Sequence, residues 1–147
     1  MTLTDCARLV ERGDRDRFAA AMTASEAERA ILFPLYALNL EVARVPWVTQ
    51  EPMIAEMRLQ FWLDMIDEIA EGAAPRTHIV AQPLAEVISA NRLPAALFSA
   101  LISARRWDIH NAPFADQIQF DQYIDETSGH LMWLAALALG APAGAET

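Results

Sequence analysis

The stretch from Pro52 to Glu71 restricts the possible folds of this chain more than any other. Proline is favoured at the first position of a helix and glycine just after the last, so Pro52 and Gly72 predict where a helix begins and ends. Its apolar residues form two adjacent stripes at helical spacing, Ala55, Leu59, Trp62, Ile66 and Ile69 in one and Ile54, Met57, Phe61 and Met65 in the other. Stripes this wide predict a central, largely buried helix, and hence a helical bundle around it.

Start and stop signals of the same kind recur along the chain. Thr4 is an expected helix cap, and Ser25 with Glu28 forms a capping box. Gly140 is expected to end the last helix. We therefore predict an all-α fold of about six helices and no strand, as a single domain over residues 1–147. The six helices are expected near residues 4–13, 14–22, 25–45, 52–71, 94–107 and 116–139, and a further helical segment, interrupted by Pro83, near residues 78–91.

Charge and cysteine content narrow the function classes. The net charge is −9, and arginine supplies all eleven basic residues. An acidic chain without a basic cluster argues against nucleic acid and against anionic membrane surfaces as partners. Cys6 is the one cysteine, the N-terminus lacks the apolar region of a secretory signal, and no apolar run is long enough to span a bilayer. These features predict a cytoplasmic protein.

Two pairs of charged residues are candidates for ligand binding. Asp64 and Asp67 are three residues apart, so they lie on one helical face where carboxylates can share a hard cation such as Mg²⁺. The same spacing is also that of an ordinary solvated helix face. Arg105 and Arg106 come at a predicted helix end, where cations stabilise the helix dipole, and two neighbouring guanidinium groups also suit a diphosphate.

The segment LYALNLEVARVPW, residues 35–47, resembles the squalene/phytoene synthase family. That family has the pattern Tyr-Ala-Phe-Cys-Arg-x-x-Asp-Asp-x-x-Asp, which Tyr36 and Ala37 match. Leu40 stands in place of the arginine. The three acids of the pattern fall on Ala43, Arg44 and Trp47.

Two later segments extend the resemblance over residues 14–140. Residues 58–62, RLQFW, are similar to the Leu-x-x-Trp helix of the family, and residues 123–129, YIDETSG, are similar to its Tyr-x-x-x-Val-Ala-Gly segment. A closer likeness is to a noncatalytic branch that contains a mitochondrial assembly factor for respiratory complex I. The residues that carry it are Asn39, Glu41, Ala43, Gln60 and Trp62.

The resemblance implies an isoprenoid-synthase-like helical bundle, of which this chain is the N-terminal part. Active members condense two prenyl diphosphates with magnesium held by two Asp-rich helices, because departing diphosphate builds charge that divalent cations must balance. The first cluster is replaced here, and the second is expected beyond Thr147. The resemblance therefore implies a nonenzymatic protein that binds an isoprenoid or other lipid, or a protein partner such as one in respiratory complex assembly.

Candidate residues follow from this reading. The expected pocket is lined by Tyr36, Leu40, Trp62, Tyr123, Thr127 and Leu131. The expected diphosphate contacts are Arg44, Arg105 and Arg106.

The alternative function is that of a prenyl diphosphate transferase of the phytoene or squalene synthase type, with magnesium at Asp64 and Asp67. A further alternative is an interaction module without a small ligand. Because part of the family bundle would be missing, Phe61 and Trp62 are expected to be exposed and covered by a homodimer.

Overall fold

The computed structural model describes residues 4–111 and 113–141, and within these ranges it is all-α, as the sequence predicts. Residues 1–3, 112 and 142–147 of the predicted domain lie outside the described residues. None of the described helices is both long and apolar enough to cross a membrane. The helices, with one π-helical turn at Asp125–Gly129, are α1 (Asp5–Gly13), α2 (Arg15–Met22), α3 (Glu26–Ala43), α4 (Val45–Val48), α5 (Pro52–Ala70), α6 (Ala81–Asn91), α7 (Ala95–Ala104), α8 (Arg106–His110), α9 (Gln117–Ile124) and α10 (His130–Ala138).

Local signals fix the helix ends as expected. Both arms of the capping box form at α3, with the Ser25 N–H donating to Glu28 at 3.1 Å and the Glu28 N–H donating to Ser25 at 3.3 Å. Pro52 occupies the first turn of α5. Gly72 follows that helix with a φ of +82°, a left-handed conformation that glycine adopts without strain.

Several predicted helices are divided more finely than the sequence indicates. The segment expected over residues 25–45 ends at Ala43, and α4 begins a separate turn with Pro46 near its start. The segment expected over residues 116–139 contains the π-helical turn between α9 and α10. In that turn the Thr127 hydroxyl donates to the Tyr123 carbonyl at 2.7 Å, a side-chain bond that competes with regular helical hydrogen bonding.

The core lies between α3, α5, α6, α7 and α10. α3 contacts α1, α6 and α10, while α5 packs mainly against α7. The largest fully buried side chains include Leu35, Leu38, Leu59, Met65, Ile66, Leu84, Phe98, Leu101, Ile102 and Leu134. The short α4 contacts both α3 and α5 beside this core.

Burial changes along α5, and one expectation is corrected there. Trp62 is only 4% exposed, so the prediction that it lies exposed is wrong. The ring of His78, from the segment before α6, covers it edge-on at 5.3 Å between centroids. Phe61 is half-buried. The exposed apolar residues of α5 are instead Met53, Ile54 and Met57, in its first half.

Candidate functional site

A groove of about 550 Å³ lies where the end of α3, the short α4 and the first half of α5 meet. We call it the α4–α5 groove. The segment before α6 closes one side of it through His78. Its lining residues are Glu41, Arg44, Val45, Val48, Ile54, Met57, Arg58, Phe61, Trp62 and His78.

Several large apolar side chains in the lining of this groove, or next to it in the sequence, remain exposed to solvent. Trp47 is 86% exposed, Met53 77% and Met57 65%, and Val48 and Ile54 are each 45% exposed. We call these five residues the apolar rim. Val48, Ile54 and Met57 line the groove itself. Trp47 is next to Val48 in the sequence, and Met53 is next to Ile54. A single exposed apolar residue is common, but several together mark a binding surface.

Two arginines make the groove locally cationic. Arg44 and Arg58 both line it and are exposed. Among the residues that the structure describes, neither forms an ion pair. Glu41 is the one acid in the lining, so arginines outnumber acids there in a chain whose net charge is −9. The local excess of positive charge favours binding of an anionic group in the groove.

His78 supports the floor of the groove. Its Nδ1 accepts the backbone N–H of Val80 at 3.1 Å and of Ala81 at 3.4 Å, so the imidazole caps the start of α6. An accepting Nδ1 in a neutral ring places the ring proton on Nε2. The Phe61 and Trp62 rings are T-shaped at 5.4 Å between centroids. These contacts hold the aromatic floor in one arrangement.

Arg105, a predicted diphosphate ligand, takes part in a polar network within the protein. Its Nη1 donates to Asp108 and to the Tyr123 hydroxyl, each at 3.2 Å, and its Nη2 lies 3.5 Å from the Asn39 amide oxygen. The Tyr123 hydroxyl donates to Asp108 at 2.6 Å. Burial, together with this hydrogen bond, raises the pKa of Tyr123. The network joins α3, α8 and α9 and neutralises the Arg105 charge.

Arg106, also a predicted diphosphate ligand, is paired with Glu56 of α5. Its Nε donates to Glu56 at 2.8 Å, and the His110 Nε2 lies 2.9 Å from the other carboxylate oxygen. The hydrogen bond from Arg106, followed by that from His110, lowers the pKa of Glu56. These two contacts hold α8 against the first half of α5. Of the three predicted arginines, Arg44 is the one that lines the α4–α5 groove.

The six predicted pocket residues are spread over the fold. Trp62 lines the α4–α5 groove, whereas Tyr123 lines a separate cavity of about 250 Å³ beside α7 and α9. Leu131 belongs to the core, and Leu40 packs on Gly13. Thr127 is buried in the π-helical turn. Tyr36 lies near Arg17, and the guanidinium carbon of Arg17 is 6.0 Å from the centroid of the Tyr36 ring.

The two candidate metal ligands lie on the outer face of α5. Asp64 and Asp67 are exposed, and Asp64 accepts a hydrogen bond from Gln60 at 2.8 Å. Nearby, Glu68 forms a bidentate ion pair with Arg76. Over residues 4–111 and 113–141, three or more His, Cys, Asp or Glu side chains do not come together where they could hold a metal ion.

Sequence reasoning missed three contributors to this region. Arg58 stands among apolar residues of α5, and this interruption was a usable signal. His78 and Glu56 gave no comparable signal, because their partners are distant along the chain or backbone groups. The Glu56–Arg106 contact, for example, joins residues 50 positions apart.

Comparison with known proteins places this geometry in context. The family model described as squalene/phytoene synthase matches residues 10–147. A Drosophila melanogaster protein named "NADH dehydrogenase (ubiquinone) complex I, assembly factor 6 homolog" is 31% identical over 134 residues, which are 88% of this chain and 40% of that protein. The Bos taurus protein named "NADH dehydrogenase (ubiquinone) complex I, assembly factor 6" is 22% identical over 135 residues, 92% of this chain and 40% of that protein.

A third relative, from Dictyostelium discoideum, is again named as an assembly factor 6 homolog. It is 26% identical over 131 residues, covering 86% of this chain and 36% of that protein. The chain thus spans about 40% of the length of the curated relatives it matches. No solved structure matches the chain significantly.

Proposed function

The chain belongs to the squalene/phytoene synthase family, and we propose that it is a noncatalytic member that binds a protein partner during assembly of respiratory complex I. The relatives named as complex I assembly factors support the assembly role. The α4–α5 groove with its apolar rim is the binding surface. The protein acts by docking, and no bond is made or broken in its partner.

One observation carries the noncatalytic part of this proposal. The family pattern places three metal-binding acids where this chain has Ala43, Arg44 and Trp47. Arg44 lines the groove together with Arg58, and Trp47 is 86% exposed on the rim. A guanidinium repels Mg²⁺ where a carboxylate would bind it, and an exposed indole favours an apolar partner surface.

The composition of the rim also favours a protein partner. Met53 and Met57 are flexible and polarizable, so they adapt to an irregular apolar surface, and Trp47 supplies a large anchor. Trp62 and Phe61 form a fixed floor beneath them. Flexible methionine side chains beside a packed aromatic pair are suited to recognising a side chain that projects from a partner.

The assembly role is tested in cells that make this chain. Deletion of its gene should lower the amount of assembled complex I on native gels, and the unaltered gene should restore it. A variant with Trp47→Ser and Met57→Ser should fail to restore assembly although the protein accumulates normally. The matched control is Met132→Ser, because Met132 is 72% exposed but belongs to α10. Normal assembly after deletion would refute the role.

A lipid ligand is the second candidate, and the lining of the groove supports it. Two arginines beside Phe61 and Trp62 could hold the anionic head and the apolar chain of an isoprenoid diphosphate. Thermal unfolding with farnesyl diphosphate distinguishes the alternatives, since a ligand of the folded state raises the midpoint. A rise without magnesium supports a lipid-binding protein, and a rise that requires magnesium supports a transferase. An unchanged midpoint in both conditions is the result expected of a protein-docking surface.

A further inference from the structure

We propose that the partner segment bound by the α4–α5 groove is an amphipathic helix with acidic residues beside its apolar face. This inference rests on the proposed docking function and adds the chemistry of the partner. It follows from three features of the groove: the way its apolar rim extends along one helix, the sign of its charge, and its open shape.

The rim residues on α5 have the spacing of a helix-binding surface. Met53 and Met57 are four residues apart, and Ile54 and Met57 are three apart, so they lie along one side of α5. Such a row forms a ridge that fits between the side chains of a second helix. Trp47 and Val48, from α4, extend the surface sideways. Apolar anchors at helical spacing are how helices are recognised in grooves.

The charge of the groove selects an acidic helix. Arg44 and Arg58 lack ion-pair partners among the described residues, whereas Arg105 and Arg106 are paired within the protein. A guanidinium presents several donors in a plane and binds a carboxylate bidentately. Acidic residues along one edge of the partner helix would meet both arginines while its apolar face covers Met57.

Two other occupants fit these observations less well. A second copy of this chain would bring its own Arg44 and Arg58 to the interface, together with a net charge of −9. A small amphiphile is usually enclosed over most of its surface, but Trp47 and Met53 are 86% and 77% exposed and do not line the groove. A helix covers both residues, and a single lipid chain does not.

The test measures binding of fluorescent helical peptides to the full chain. The first peptide has about 18 residues, enough for partial helicity in water, with a Leu/Phe face flanked by glutamates. The second has lysines in place of those glutamates. We expect saturable binding of the acidic peptide and affinity for the basic peptide weaker by about tenfold or more, because the groove is cationic.

Variants locate the interaction. Arg44→Glu combined with Arg58→Glu should reverse the preference between the two peptides, and Met57→Ser should weaken both. Arg12→Glu combined with Arg15→Glu makes the same charge change on α1 and α2, outside the groove, and should leave both affinities within about twofold. The thermal midpoint of each variant is measured first, so that loss of binding is not confused with loss of folding.

Three results would overturn the inference. One is equal binding of the acidic and basic peptides, or no binding of either peptide. Another is binding of anionic lipid vesicles that the arginine variants abolish while neither peptide binds. The last is concentration-dependent dimerisation that Met57→Ser abolishes. The cell assay keeps the docking function separate: if Trp47→Ser and Met57→Ser impair complex I assembly although the acidic peptide does not bind, the partner chemistry is wrong and the docking function stands.

Discussion

The two halves of α5 have similar apolar residues and opposite environments. Met65, in the second half, is fully buried, whereas Met57, eight residues earlier on the same helix, is 65% exposed. α6 and α7 pack against α5, and the second half supplies buried residues such as Ile66 and Ile69. The first half meets the short α4 and, through Glu56, α8.

The difference teaches that an apolar stripe does not by itself define a core. In the second half, burial of methionine stabilises the fold through tight packing. In the first half, the same residue type is left in solvent beside two arginines, where it contributes little to folding and is available to a partner. The following predictions test this contrast, starting with the largest expected effect.

Met65→Ala should lower the free energy of unfolding by about 2–5 kcal/mol, because it removes buried side-chain volume and leaves a cavity. Denaturant unfolding followed by circular dichroism measures this loss. Peptide binding at the α4–α5 groove should persist under conditions where the variant is folded. A loss below about 0.5 kcal/mol would mean that the second half is not a packed core.

Tyr123→Phe should lower the free energy of unfolding by about 1–3 kcal/mol, because Asp108 and Arg105 lose a hydrogen-bond partner in a partly buried network. That network positions α8, whose Arg106 holds the first half of α5. Hydrogen exchange in α8 should therefore accelerate in this variant. Unchanged stability would show that the network does not constrain α8.

The Glu56 contact predicts a pH dependence of stability. Because Arg106 and His110 lower the folded-state pKa of Glu56 below its ordinary value of 4.5, its contribution is present above that value and is lost as the pH falls through the lower pKa. Thermal midpoints of the unaltered protein and of Glu56→Gln should differ at pH 7 and converge toward pH 3. A difference that is constant with pH would contradict the ion pairs.

Met57→Ala should change the free energy of unfolding by no more than about 0.5 kcal/mol, because its side chain is mostly solvated. The same variant should weaken binding of an apolar partner. The paired measurement of stability and binding on Met57→Ala and Met65→Ala compares the two halves of α5 directly. Equal destabilisation by both substitutions would show that the two halves of α5 do not differ in their contribution to folding.

Local sequence signals predicted the fold but only part of the groove. The Ser25–Glu28 box, Pro52 and Gly72 act within a few residues of themselves, so their effects could be read from the sequence. The stripes of α5 were identified correctly, yet periodicity is the same in both halves and cannot tell which half other helices cover. Trp62 was expected to be exposed because part of the family bundle would be missing, and its cover, His78, comes from a different segment of the chain and left no local signal.

The arginines illustrate the same limit. Arg105 and Arg106 were predicted to bind diphosphate because they are adjacent and end a helix. Arg105 pairs with Asp108, three residues later, but Glu56, the partner of Arg106, is 50 residues away, so only the folded chain reveals that Arg106 is engaged. Arg44 was identified from its place in the family pattern, and Arg58 became a candidate only when the fold placed both in one groove.

The most direct test of the central claim is a methyl NMR spectrum of the protein labelled at its six methionines, recorded during titration with the acidic helical peptide. The account predicts that the Met53 and Met57 signals shift while those of buried Met65 and of Met132 on α10 stay in place. Signals of Met53 and Met57 that remain unchanged with the peptide, but shift with farnesyl diphosphate and magnesium, would contradict a docking surface and favour a transferase site.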